Sequence, residues 1–363
     1  MSFVLPVYHA PDFEALGLSD AADAKMAPAP MDGVAPDNYH ATGIYPEYFR
    51  IHGQWRLAEE SRMDCVPVWE DGIVKIIEFR RLKKGQMVVL GRTEDGSEGI
   101  YVHMYGFAEK GEKENAFAFR QGRSRETAYS KDYDELYSLL RHEKANGGRI
   151  RWVMGPACTF DNDSRAAMAA LIEHGYADGI LAGNALATHD LEAGLLRTAL
   201  GQDIYTQEIM HNGHYNHIDT INKVRACGSI PAFIEQYGIS DGIIHACVKH
   251  NIPFVLGGSI RDDGPLPEVY GNVYEAQNAM RELVSQATTI ICMASVLHTV
   301  ATGNMTPSYR VMKDGTVRQV YFYCVDVSEF AVNKLLDRGS LAVKTLVTNA
   351  QDFIVHVRKA MGV

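Results

Sequence analysis

The sequence predicts an α/β protein, a parallel sheet with helices on both faces behind a small mainly-β barrel or sandwich domain. Three observations carry this. From about residue 149 onward, strand-length apolar runs alternate with helix-length amphipathic stretches, as in RIRWVM, SRAAMAALIEHGY and ADGILAGNA; that alternation is the signature of β–α–β crossovers. Between about 46 and 130 the runs are instead short, β-branched and aromatic, with Gly and acidic turns between them. Finally, the strands expected in the second part run into small or polar clusters: Gly155-Pro156-Ala157, Gly183-Asn184-Ala185, Gly257 to Gly264, Ala294 to Thr299, and Asp326. In doubly wound sheets ligands bind outside the carboxyl ends of the strands, so five such clusters point to one crevice.

Taken in order, residues 1–45 are Pro-, Ala- and Asp-rich with little periodicity and read as an arm or linker, packed on a neighbouring subunit. Residues 46–147 form the β domain, with GQWRL, DCVPVW, GIVKIIEFRRL, QMVVLGRT, GIYVHMYGF and AFAFRQG as strands. The charged amphipathic segment DYDELYSLLRHEKANGG closes that domain and stops at Gly147–Gly148. Residues 148–363 form the α/β domain. Here Met168, Leu171 and Ile172 fall at helical spacing before Gly175, and LATHDLEAGLLRTALG is a second helix. IPFVLGG, TTIICMA and VYFYCVDV are further strands, with SEFAVNKLLDRG among the interleaved helices.

Composition narrows the function. The chain has 363 residues, 46% hydrophobic and 22% charged, with 35 Lys and Arg against 45 Asp and Glu, a net charge of -10. An acidic balance disfavours nucleic acid, because phosphate binding needs a basic face. No apolar run approaches the roughly 18 residues that span a bilayer, and the start lacks a basic secretory n-region. Six scattered cysteines without a C-x-x-C pair read as reduced thiols and place the protein in the cytoplasm. A homo-oligomer, dimer or tetramer, is expected from the arm.

Several residues are candidates for chemistry. No G-x-G-x-x-G is present. In GGSIRDDGPLP, Gly258 permits close backbone approach, Ser259 and nearby amides suit phosphate or ribose, and Arg261, Asp262 and Asp263 set one cation beside two carboxylates. Adjacent carboxylates repel, which favours one of them as a proton acceptor. His298 follows an apolar strand and is the best-placed pocket histidine. His189 and Asp190 can pair. His211, His214 and His217 recur at spacing three, one face if helical, but without the firm spacing of a zinc site; no metal is expected, and a polar contact to substrate fits better. Cys158 reads as a small buried thiol. In the β domain Arg62 and Asp64 share a face if in a strand, as a structural pair or with Arg62 meeting a substrate carboxylate. Arg120, Arg123, Arg125 and Glu126 read as an anion rim or a solvated loop.

The motifs in order, GPA, LIEHGYADGILAGNALATHDLE, GH..HI..IN..R..GSI, GGSIRDDGPLPEV, LHTVATGNMTP, CVDV and KLLDRGS, resemble the archaeal-type ornithine cyclodeaminases, long labelled the LOR/SDH conserved region. They also resemble the carboxyl-terminal part of bacterial arginine dihydrolase/ornithine cyclodeaminases. The resemblance covers about residues 46–363. It departs at GPACTFDND, with Phe160 and Asp161 near an expected His–Thr, at Asn216 in GHYNH, and at the added YRVMKDGTVRQVYFY. VKHNIPFVL and ASVLHTVATGN are similar to segments of deoxyhypusine synthase, with Leu297 where that enzyme has its lysine.

The resemblance implies a Rossmann-like, deoxyhypusine-synthase-like NAD-binding domain. It implies an NAD-dependent ammonia lyase that converts L-ornithine, or a related amino acid, to L-proline or a cyclic analogue, hydride being lent and returned. The rivals are a net amino-acid or opine-type dehydrogenase and a non-catalytic sensor. Asp262, Asp263 and His298 are then expected to be catalytic, and Arg62, Asp64, Arg261 and His214 to bind substrate. The cofactor is expected at Gly155, Asn184, Ala185, Gly258, Ser259, Ile260, Asp263, Ser295, Leu297, His298, Asp326, Gly339 and Ser340.

Overall fold

The computed structural model describes residues 3–107, 130–260, 262, 264–328 and 340–363. Its second half is built on seven parallel strands: β1 (Ile150–Met154), β2 (Gly179–Gly183), β3 (Phe254–Gly257), β4 (Val269–Tyr270), β5 (Thr289–Met293), β6 (Tyr321–Asp326) and β7 (Ala342–Val347). They lie in the order β4-β3-β2-β1-β5-β6-β7, so the order reverses between β1 and β5, where Thr289 to Met293 run in register with Ile150 to Met154.

Both faces of this sheet are buried, which explains its near-continuous apolar strands. On one face Trp152, Met154, Ile180, Ile291 and Tyr323 pack against α1 (Ser130–Ala145), α2 (Asn162–Glu173), α3 (Asn184–Leu196), α4 (Asn216–Cys227), α5 (Ile230–Tyr237), α6 (Ile243–His250) and α9 (Ala350–Met361). On the other, Val153, Leu181, Ile290, Cys292 and Phe322 meet α7 (Val273–Val284) and α8 (Val296–Met305).

The β domain is a sandwich. A four-stranded antiparallel sheet of Lys25–Pro28, Met87–Leu90, Cys65–Glu70 and Ile73–Glu78 faces a three-stranded one of Gln54–Leu57, Glu47–Ile51 and Ile100–Val102. Phe49, Ile51 and Ile100 from one sheet and Cys65, Val74, Ile76 and Val89 from the other form its buried core. AFAFRQG and the arginines 120, 123 and 125 lie outside the described residues, as does most of SEFAVNKLLDRG.

Three expectations are corrected. The first 45 residues are not a separate arm: Lys25–Pro28 pairs antiparallel with Met87–Leu90. Phe13 stacks on Trp55 at 4.4 Å, and Tyr8 Oη lies 2.9 Å from Tyr48 Oη. Aromatic anchors at irregular spacing, invisible to periodicity, seat the segment on its own sandwich. Second, α1 packs with the α/β sheet and not the β domain. Tyr133 contacts Phe353 at 5.9 Å between ring centroids, and Glu143, fully buried, accepts from Arg318 Nη2 at 2.6 Å and from Thr288 and Thr289.

Third, Arg62 and Asp64 are not in a strand. They occupy the turn before Cys65–Glu70, with Asp64 at φ +60°. The buried Arg62 pairs with Glu60 at 2.9 Å and Glu78 at 3.7 Å, and donates to the carbonyls of Ile76 and Met305. Glu78 also holds Arg281 of α7, so this cluster pins the two domains together. The segment YRVMKDGTVRQVYFY contributes a second pin. Its hairpin, Tyr309–Val311 against Val317–Gln319, bonds through Ser308 N–H to Ser61 O at 2.8 Å and Val311 N–H to Glu59 O at 2.9 Å. Among the described residues no helix is long and apolar enough to cross a membrane.

Candidate functional site

The carboxyl edge of the sheet collects most of the expected site residues. β1 ends at Met154, and Gly155 leads into a short 3-10 turn, Pro156–Thr159. α2 begins only after Asp161, whose carboxylate accepts from the amides of Asp163 and Ser164. The first helix N-terminus, where an ordinary dinucleotide fold holds its pyrophosphate, is thus filled by the chain's own carboxylate. Cys158 is fully buried, and burial pushes its thiol up to about 12, so it is inert as a nucleophile.

The N-termini of α3 and α8 differ. Neither Gly183 before α3 nor Ser295 before α8 caps its helix with a side chain. Ser295 Oγ instead lies 2.8 Å from His298 Nδ1. The His298 ring stands over the glycine ends of β2 and β3: a Cβ at Gly183 would lie 3.2 Å from its Cε1, and one at Gly257 3.6 Å from its Nε2. Burial lowers its pKa from the usual value near 6.5, so the ring is neutral at pH 7. Ala294, just before Ser295, holds φ +53°, a conformation that costs a residue with a Cβ about 1–3 kcal/mol. Leu297 and Ile260 are strongly exposed on the same edge. Asp326 ends β6, with Oδ1 accepting from Ser328 N–H at 2.9 Å.

Beside this edge lies a cleft of about 300 Å³ lined by Asn184, Ala185, Thr188, His189, Leu200, His217, Ile218, Ile221 and Asp262. Asn184 Oδ1 accepts from Leu266 N–H at 3.1 Å and so ties the loop after β3 to the start of α3. Asp262 accepts from Ser259 N–H at 2.7 Å, turning that loop toward the cleft. His189 is buried, and its Nδ1 lies 3.0 Å from Glu192 Oε2. His217 lies 6.1 Å away, ring to ring, and Phe160 backs His189 at 5.6 Å.

The sequence expectations divide accordingly. Gly155, Asn184, Ala185, Gly258, Ser259, Ile260, Asp262, Ser295, Leu297, His298 and Asp326 come to the carboxyl edge. Arg261, Asp263 and Gly339 lie outside the described residues. Ser340 does not join them: it precedes β7 and donates to Val320 O at 2.8 Å, at the amino edge of the sheet. Arg62 and Asp64 lie at the far end of α8 from His298, about 10 Å of helix away. His214 is exposed in a short turn, Gly213–Tyr215, and His217 lines the cleft in its place. The three histidines therefore do not share one helix.

Asp190 does not orient His189. It binds Arg165 Nε at 2.7 Å and caps α6 through the amides of Ile243 and Ile244. The partner is Glu192; a histidine followed three residues later by a glutamate within one helix is the signal that points to it, since residues three apart share a face. Among the described residues no His, Cys, Asp and Glu side chains gather as metal ligands would.

Comparison with known proteins agrees with this architecture. Residues 134–357 match the family model of the arginine dihydrolase ArgZ-like C-terminal, Rossmann-fold domain. An ornithine cyclodeaminase of Methanothermobacter thermautotrophicus is 38% identical over 351 residues, covering 95% of this chain and 81% of that protein. The conserved LOR/SDH protein of Methanococcus maripaludis superposes with a TM-score of 0.83 at 33% identity, over 94% of this chain and 98% of that one. AgrE in ternary complex with ornithine and NAD+ superposes with a TM-score of 0.60 at 31% identity, over 94% of this chain and 46% of the longer AgrE chain. The fold, the family model and these identities converge: the chain belongs to the ornithine cyclodeaminase family of enzymes.

Proposed function

We propose that the chain converts L-ornithine to L-proline with release of ammonia, using NAD. The observation that carries this reading is the adjacency of two places on one sheet edge. One is a glycine-floored crevice around His298, and the other is a polar cleft holding Asp262 and two imidazoles. The complex of the relative AgrE with ornithine and NAD+ supports it.

The residues present fit the cofactor. Gly183 and Gly257 lack side chains where a ring must approach, the α3 and α8 N-termini offer amides to a pyrophosphate, and Leu297 and Ile260 offer apolar cover. In this reading Asp326, at the end of β6, accepts the ribose hydroxyls, and its charge disfavours a 2′-phosphate. When bound, NAD takes a hydride from the substrate and gives it back, so no net redox change accumulates.

The chain's own residues orient and move protons. His298, neutral and held by Ser295, positions the reacting face. The Asp262 carboxylate accepts a proton from the α-ammonium, and Leu200, Ile218 and Ile221 give the cleft an apolar side. A cytoplasmic location accords with six free cysteines.

Purified protein incubated with L-ornithine, L-lysine and other amino acids should yield proline and ammonia from ornithine, read by mass spectrometry. Stoichiometric NADH would instead indicate a dehydrogenase, and silence across diamines removes the reading. For the cofactor, Asp326→Ala should weaken NAD about ten- to a hundredfold by calorimetry, the loss of roughly 1.5–3 kcal/mol for a charged hydrogen bond. Unchanged affinity in a folded variant would show that Asp326 does not anchor the ribose.

A further inference from the structure

We infer that His189, held by Glu192, is the group that shuttles the proton of the substrate's distal amine. The inference rests on the cyclodeaminase reading and deepens it, because it explains why this cleft suits an amino acid with a second amine.

Glu192 is fully buried on α3, one turn beyond His189. Its two oxygens accept four hydrogen bonds. Oε1 takes Thr198 Oγ1 at 2.8 Å and Gly201 N–H at 3.2 Å, and Oε2 takes Leu200 N–H at 3.2 Å and His189 Nδ1 at 3.0 Å. The tip of the hairpin Thr198–Ala199/Gln202–Asp203 thus fixes the carboxylate, and the carboxylate fixes the imidazole. A carboxylate only accepts, so Nδ1 is a protonated nitrogen and Nε2 is the one left to exchange a proton. Nε2, on the opposite side of the ring, is left to the cleft that His189 lines. A buried carboxylate, an imidazole in one tautomer and a small cleft form the base-and-orienter arrangement of proton-transfer sites.

The position along the cleft selects the amine. Asp262 belongs to the loop at the end of β3, beside the His298 crevice, whereas His189 lies a turn into α3 with Thr188 and His217. A substrate with its α-carbon at the crevice and a short methylene chain along Leu200, Ile218 and Ile221 brings its terminal ammonium to His189. Ring closure then balances around one proton. The distal ammonium gives a proton to Nε2, and its freed lone pair bonds to the α-carbon at the imine level. The C=N π pair moves to the α-nitrogen, giving a cyclic aminal. His189 returns its proton to that nitrogen and takes one from the ring nitrogen. The lone pair of the ring nitrogen forms the cyclic C=N bond as the C–N bond to ammonia breaks, so His189 ends holding one proton.

Two variants and a spectroscopic measurement test this. His189→Asn keeps an amide N–H directed at Glu192, so the fold should survive, and kcat for ornithine should fall about 10²–10⁴-fold with KM within about threefold. In Glu192→Gln one oxygen becomes an NH2 that donates to Nδ1, moving the ring proton to Nε2. A comparable kcat loss is expected, and imidazole 15N shifts in the cofactor-free protein should show the tautomer inverted relative to wild type. A purely structural Glu192 would lower stability without that inversion. An active wild type whose His189→Asn variant keeps kcat within about threefold, or whose Nε2 carries the proton, overturns the inference alone. A wild type silent on ornithine overturns the functional reading and the inference together.

Discussion

Arg318→Leu should lower the unfolding free energy by about 3–5 kcal/mol, the cost of leaving a buried carboxylate without its cation. Arg318 is nearly buried on the hairpin that docks the β domain, and its guanidinium meets both oxygens of Glu143, at 2.6 and 3.4 Å. Glu143 has no exposure, and the hydroxyls of Thr288 and Thr289 cannot supply the missing charge. Three pieces are coupled through this pair: α1, the start of β5 and the hairpin. Urea unfolding of Arg318→Leu reads the loss directly. The double variant Arg318→Leu/Glu143→Leu should regain most of it, since removing both charges ends the desolvation penalty. A single-variant loss under about 1 kcal/mol would mean that the pair holds neither the helix nor the hairpin.

The α/β half was legible because its signals are local. Helical spacing of Met168, Leu171 and Ile172, and the strand run ending in Asp326, each follow from a periodicity contained within one element. The strand-end clusters were legible for a topological reason, since a parallel sheet delivers every carboxyl end to one edge. What adjacency in sequence does not show is which side chains pair. Arg62 and Asp64 are two apart in sequence, but the cations and carboxylates that decide their roles are Glu60, Glu78 and Arg281. Adjacency in sequence suggests pairing His189 with Asp190, yet adjacent helical residues diverge by about 100°, while residues three apart share a face. The KLLDRGS motif suggests a cofactor contact at Ser340, and only strand direction places it at the opposite edge.

Gly155→Ala should cost about 3 kcal/mol or more and abolish cofactor binding, although one methyl group is all that is added. Backbone conformation is not the obstacle: Gly155 has φ -81° and ψ 171°, open to any residue. Space is. A Cβ there would overlap the carbonyl oxygen of Ala294, a backbone atom in a segment already held at φ +53°. The contact spans the β1–β5 boundary, where the strand order reverses and the crevice opens. Relieving it requires parting the two strand ends, whose register is kept by Gly155 N–H donating to Met293 O at 2.9 Å. Movement of Ala294 would carry Ser295 and His298 with it. Gly183→Ala is the control: its methyl would meet the His298 ring at 3.2 Å, a side chain able to give way by a few tenths of an ångström, at about 1 kcal/mol. Denaturation midpoints of both variants separate the cases, and NAD calorimetry on Gly155→Ala reads the site. A Gly155→Ala protein with wild-type stability and NAD affinity would refute the tight β1–β5 junction as the floor of the site.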